Sequence, residues 1–213
     1  ETTYYYQVRS INIVDVQSNE SATVSATTKP MLNQVTGVTA ENNQVKQVTL
    51  TWYGSDGKEF EVFRGETPKS IEKKIATVGI NTTKYVDTKL QDGQQYYYKI
   101  RAIDSFDLPG LFSNPVSATT KPLPAMPSNL QFRINNGRIV LNWDKNPESD
   151  IANYKVFKKG FFSWEEIGQT AETLFVPEDQ LESGDELLFH VIAVDQDGLE
   201  SAPSAEVKTT LAE

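Results

Sequence analysis

The sequence predicts an all-β protein: tandem seven-stranded antiparallel sandwiches preceded by a two-stranded hairpin. Three observations lead there. The chain repeats itself at an interval of 91 or 92 residues. Its apolar residues alternate with polar ones at period two, the pattern of strands with one buried and one solvated face. Gly-, Asn- and Asp-rich turn signals separate the alternating runs at short spacing. No stretch keeps helical periodicity for three turns.

The repeat fixes the organisation. Tyr4 to Ile11 reads like Tyr96 to Ile103, 92 residues on, and like Leu187 to Val194 a further 91 on. Val24-Ser25-Ala26-Thr27-Thr28-Lys29-Pro30 recurs identically as Val116 to Pro122, with a shorter copy at Val207 to Thr210. Val48-Thr49-Leu50-Thr51-Trp52 matches Ile139-Val140-Leu141-Asn142-Trp143. The expected domains are therefore a partial copy at 1–29 and complete copies at 30–122 and 123–213. A complete copy of this size is near the lower limit for folding on an apolar core without disulfides or metal.

Each element follows from local pattern. Tyr96, Tyr98, Ile100 and Ala102 form one face of a strand, and Tyr97, Lys99 and Arg101 the other. Val48, Leu50 and Trp52, like Ile139, Leu141 and Trp143, mark a second buried strand per copy. Turns are expected at Ser55-Asp56-Gly57, Gln91-Asp92-Gly93, Asn135-Asn136-Gly137, Ser183-Gly184-Asp185 and Gln196-Asp197-Gly198. Sandwiches are the usual outcome of such strand and turn spacing.

Composition narrows the function. The 213 residues carry 20 basic and 29 acidic side chains, one histidine and no cysteine. The net charge of −9 disfavours nucleic acid, whose binding rests on Lys and Arg meeting phosphate. No apolar run approaches the roughly 20 residues of a membrane span. Disulfides, thiolate metal sites and cysteine nucleophiles are excluded, and no Gly-x-Ser-x-Gly, phosphate loop or metal cluster stands out. No enzyme activity, cofactor or metal is therefore expected. Residues 30–122 hold 11 basic and 10 acidic side chains, whereas 123–213 hold 7 and 16. That acidity gathers at Glu178, Asp179, Glu182, Asp185 and Glu186. Asp195-Gln196-Asp197-Gly198 is a fragment of a calcium loop, too short for the six to eight oxygens calcium takes, and reads as a solvated loop.

Leu90-x-x-Gly93-x-x-Tyr96-x-Tyr98-x-Ile100-x-Ala102, with Trp52 and the Ser-Ala-Thr-Thr-Lys-Pro ending, resembles the fibronectin type III signature. The resemblance spans the chain and implies an immunoglobulin-like sandwich with strands A to G. It makes Tyr96 the tyrosine corner, its hydroxyl bonding the upstream backbone. The last copy repeats the frame as Leu181, Gly184, Leu187, Phe189, Val191 and Ala193, with Leu187 in place of the corner tyrosine. On the same reading, residues 1–29 are strands F and G of an incomplete module, part of a longer chain. Glu1 to Tyr6 carry no signal-peptide features, so a leader is absent or lies outside this numbering. Short proline-bearing connections imply an elongated rod.

Asp195 to Pro203 and Asn146 to Tyr154 look like bacterial members of the family. The tandem is similar to fibronectin-binding lipoprotein adhesins of Campylobacter-like bacteria. That implies a non-catalytic, extracytoplasmic adhesion or protein-interaction module, anchored at the cell surface or secreted, with fibronectin or another matrix or envelope protein as partner. A spacer inside a secreted polysaccharide hydrolase and an assembly element of an envelope complex are the alternatives.

Two candidate contact surfaces emerge. The F–G loop of the second copy carries Phe106, Leu108, Leu111 and Phe112, either a partner-binding tip or packing against the preceding module. Lys158-Lys159-Gly160-Phe161-Phe162 forms an aromatic–basic patch beside Trp164, itself read as structural. Adjacent strand residues point to opposite faces, so at least one of Phe161 and Phe162 is expected in solvent. The 1–29 hairpin offers a route to self-association through strand pairing. Lys69, Lys73 and Lys74 read as a solvated edge. His190 falls on the outward phase of its strand and reads as a lone surface histidine. Asn19-Glu20-Ser21 and Asn81-Thr82-Thr83 match glycosylation sequons, which only a eukaryotic secretory route uses.

Overall fold

Sixteen antiparallel strands make up the structure, a computed structural model describing residues 1–178 and 186–210. The sequence features at Asp179, Leu181, Glu182, Gly184 and Asp185 lie outside the described residues. The contact pattern divides the chain into unit 1, Glu1–Thr120, and unit 2, Lys121–Glu213. Among the described residues there is no helix, and hence none long and apolar enough to cross a membrane.

Unit 1 begins with a hairpin, β1 (Thr3–Tyr6) against β2 (Val24–Thr27). Its sandwich follows: a three-stranded sheet, β3 (Thr39–Ala40), β4 (Gln47–Thr51) and β7 (Lys84–Thr88), faces a four-stranded one. The latter runs in the order β6 (Lys73–Gly79), β5 (Glu59–Gly65), β8 (Gln95–Ile103), β9 (Val116–Thr119). Unit 2 repeats the plan. β10 (Gln131–Asn135), β11 (Arg138–Asn142) and β14 (Leu174–Phe175) form one sheet. β13 (Trp164–Thr170), β12 (Ile151–Lys159), β15 (Glu186–Asp195) and β16 (Val207–Thr210) form the other. Three strands against four in this order is the fibronectin type III arrangement.

The period-two pattern explains the packing. Val48, Leu50, Trp52, Phe60, Val62, Tyr98, Ile100 and Ala102 all point inward and close the first core. Ile139, Leu141, Trp143, Tyr154, Val156, Phe189, Val191 and Ala193 close the second. Trp52 meets Phe60 edge-on at 5.6 Å, and Trp143 meets Tyr154 at 5.3 Å. Burying side chains of this size stabilises by about 1.5–3 kcal/mol each. The corner expectation is met: Gln91 N–H donates to the Tyr96 hydroxyl at 3.2 Å.

The F–G turn is built identically three times. Asp104 Oδ1 accepts from the Phe106 and Leu108 amides, and Asp195 Oδ1 from the Asp197 and Leu199 amides. In the first hairpin Asn12 Oδ1 accepts from Val14 and Val16. Asp15 and Asp107 take the left-handed residue of the turn at φ 61° and 63°, as Gly198 does in unit 2. Downstream, Ser21, Ser113 and Ser204 hydroxyls accept from the Val8, Ile100 and Val191 amides. The hairpin thus repeats these F–G bonds.

The outward histidine is corrected. His190 does take the outward phase of β15, yet it is only 6 % exposed. Phe157 stacks on it at 4.9 Å between centroids and Trp164 lies at 4.2 Å, so neighbouring strands roof it. The 195–198 loop is solvated at Gln196, Asp197 and Gly198, as expected, but Asp195 is 3 % exposed, held by its own turn and by a lysine.

Candidate functional site

Among the described residues of unit 2, the tip of the β12–β13 hairpin presents the most exposed large apolar side chains. The two strands pair down to Lys159 opposite Trp164. Four residues, Gly160 to Ser163, then turn the chain, closed by the Gly160 N–H donating to the Ser163 carbonyl at 2.8 Å. Gly160 leaves room for this approach. A Cβ there would lie 2.6 Å from Glu165 Oε1 and 3.0 Å from the Ser163 carbonyl oxygen. Because Phe161 and Phe162 lie in the turn rather than in a strand, the alternation rule does not separate them. Both are out, at 92 % and 91 % exposure, and their rings meet edge-to-face at 4.6 Å.

The base of the tip is packed. Trp164 is half-buried over His190, and Lys159 places its ammonium 5.1 Å from the Trp164 ring centroid. Lys158 is half-buried on β12. Burial holds the His190 imidazole below its ordinary pKa, against an opposing pull from Glu206. The aromatic pair therefore stands on a packed aromatic base, with one lysine turned onto an aromatic face.

In unit 1 the F–G tip is apolar but its residues part company. Phe106, Leu108 and Leu111 are exposed by more than half. Phe112 instead lies half-buried on the outer face of its own four-stranded sheet. It meets Phe63 edge-on at 5.1 Å, with Lys99 Nζ 4.0 Å and the Arg101 guanidinium 4.8 Å from its centroid. Sequence reading missed Met31, 65 % exposed, which with Leu32, Leu108 and Pro109 lines a shallow cavity of about 250 Å³. Phe106 lies under the Lys29 ammonium at 4.7 Å.

The first hairpin keeps its apolar face open. Tyr4, Tyr6 and Val8 are 50 %, 53 % and 72 % exposed, whereas their counterparts Tyr96, Tyr98 and Ile100 are 5 % or less.

No protein-family model matches the chain. It is similar to human Contactin-4, 31 % identical over 134 residues, and to rat Contactin-4 at 30 %. Mouse Contactin-6 is 27 % identical over 137 residues. These alignments take in 58–60 % of this chain and 13 % of each relative, so the chain spans about an eighth of the curated relatives it matches. Among solved structures, the chicken CNTN1 FN1–FN3 domains align with a TM-score of 0.40 at 16 % identity, covering 98 % of this chain and 78 % of that one. A two-domain fibronectin type III segment of chicken tenascin gives 0.39 at 14 %, covering 83 % and 99 %. These sequence relatives are mammalian and lend no support to the resemblance of the tandem to bacterial lipoprotein adhesins.

Proposed function

We propose that this chain is a non-catalytic protein-interaction module whose main contact is the Phe161–Phe162 tip. The observation that carries this is the exposure of two adjacent phenylalanines, both above 90 %, on a hairpin braced by Trp164 and His190. Leaving two such rings in water forgoes about 1.5–3 kcal/mol each. A partner pocket that takes them recovers that energy, and the packed base limits the ordering cost of binding. Aromatic anchors seated in a pocket are the usual source of interface affinity.

The partner class is an extracytoplasmic protein, with fibronectin first in line and other matrix or envelope proteins next. Lys158 and Lys159 at the base, and Phe106, Leu108 and Leu111 in unit 1, form the secondary contact surfaces. Phe112 supports its own sheet. Titration of the whole chain against immobilised fibronectin and a panel of matrix proteins tests the reading. Saturable binding that the Phe161→Ser/Phe162→Ser variant loses supports it, and no binding to any panel member contradicts it.

A second reading has its own observation. The open Tyr4, Tyr6 and Val8 face favours residues 1–29 as the F–G hairpin of a further module copy. Where that face is left uncovered, it also drives self-association of the chain. Analytical ultracentrifugation distinguishes the two uses: Tyr4→Ser/Tyr6→Ser abolishes any dimer formed through the hairpin and leaves fibronectin binding unchanged.

A further inference from the structure

Asp150, Asp195 and Asp197 bring three carboxylates together in unit 2, in the manner of a cation site. The cation between them is the chain's own. Lys121 Nζ lies 2.8 Å from Asp150 Oδ2 and 2.8 Å from Asp195 Oδ2, and it also hydrogen-bonds Asp197. Its side chain is only 8 % exposed, a burial that lysine tolerates only when paired. Asp195 in turn accepts from two amides of its own turn, so the ammonium is seated on a hydrogen-bonded point of the F–G turn.

Four residues on, the same segment is held again. Ala125 N–H donates to Glu148 Oε1 at 2.8 Å, and Asn146 Nδ2 donates to the Ala125 carbonyl at 2.6 Å. Pro122 and Pro124 between the two points offer no N–H and narrow the path of the chain. Two fixed ends with restrained φ between them make a strap laid on unit 2.

The repeat supplies an independent comparison. Lys29 occupies the place of Lys121 in the identical Thr-Thr-Lys-Pro run, and Asp104 that of Asp195. Lys29 Nζ reaches Asp104 Oδ2 at 2.8 Å, but there the cage ends. Phe106 stands where unit 2 has Asp197, and the Lys29 side chain is 47 % exposed. One geometry therefore exists in a closed and an open form.

We propose that Lys121 is the pin of a charge-locked strap, seating residues 121–125 on the F–G turn of unit 2, and that Lys29 is its weakly held counterpart in unit 1. The lock is electrostatic. Removing the ammonium leaves three carboxylates facing one another, which pushes the strap and the turn apart. Removing one outer carboxylate weakens the lock in part.

The test is amide hydrogen exchange on the full chain, read at Ala125 for the strap. The near-ultraviolet circular dichroism of the chain checks that the folded packing persists. Lys121→Met is expected to speed exchange at Ala125 at least tenfold, and Asp150→Asn or Asp197→Asn to do so by a smaller factor. Lys29→Met should leave Ala125 unchanged. Exchange at Ala125 within twofold of the parent in a folded Lys121→Met chain overturns the proposal. If Lys121→Met fails to fold, the two asparagine variants decide it: no acceleration in either overturns it, and acceleration in both upholds it.

Discussion

The Tyr98 hydroxyl donates a 3.0 Å hydrogen bond to Asp87 Oδ2 inside unit 1, both side chains being buried. Arg64 completes the group, its Nη1 2.9 Å from the same oxygen and 3.0 Å from Oδ1. Burial and the Asp87 charge push the phenol far above its usual range, so it remains a donor at any working pH. Unit 2 has Phe189 at the position of Tyr98 and needs no such group.

Removing the hydroxyl isolates that bond. Tyr98→Phe should destabilise unit 1 by about 1–2 kcal/mol, since Asp87 keeps Arg64. Asp87→Ala should cost more, because it leaves both a buried hydroxyl and a guanidinium unmatched. Urea unfolding of the two variants beside the parent chain checks the order. Equal losses would contradict it.

Phe112 and the Phe161–Phe162 pair should separate cleanly. Phe112→Ser strips the ring from Phe63, Lys99 and Arg101 and should lower unit 1 stability by about 1–3 kcal/mol. Phe161→Ser/Phe162→Ser touches only solvent and should move stability by less than about 0.5 kcal/mol. Thermal unfolding followed by circular dichroism reads both.

Acid should loosen unit 2 in two stages. His190 has its native pKa lowered by burial, so the unfolded chain takes up the proton first. Stability therefore falls as pH drops below the unfolded value near 6.5 and levels off below the native one. Replacement by Phe removes this first step. Asp195 behaves as an acid with a lowered pKa: burial alone would raise it, but the Lys121 and Leu199 hydrogen bonds prevail. Its contribution is complete above about pH 4 and is lost as pH falls through the lower native value. Denaturation midpoints measured from pH 7 to pH 2 on the parent and His190→Phe chains show whether the upper step vanishes alone.

The backbone plan was legible in the sequence because strand phase and turn chemistry are local. Trp52 and Trp143, the alternating Tyr96 to Ala102 run and Leu90-x-x-Gly93 suffice for the sandwich. What escaped depends on neighbours distant in sequence. The outward phase of His190 says nothing of Trp164 arriving from the adjoining β13 to cover it. The Lys121 cage joins residues far apart along the chain, and the repeated Thr-Thr-Lys-Pro marked the lysine without revealing its partners. Phe161 and Phe162 were identified as a patch, but their joint exposure needed the four-residue turn, which strand alternation cannot foresee.

One titration bears most directly on the role of the hairpin tip: the parent chain and its Phe161→Ser/Phe162→Ser variant against fibronectin, at two salt concentrations. The expected result is saturable binding by the parent that weakens at least tenfold in a variant of unchanged unfolding midpoint, with little dependence on salt. Equal affinity of the two folded chains, or no binding by the parent, would contradict the assignment of the tip as the fibronectin contact.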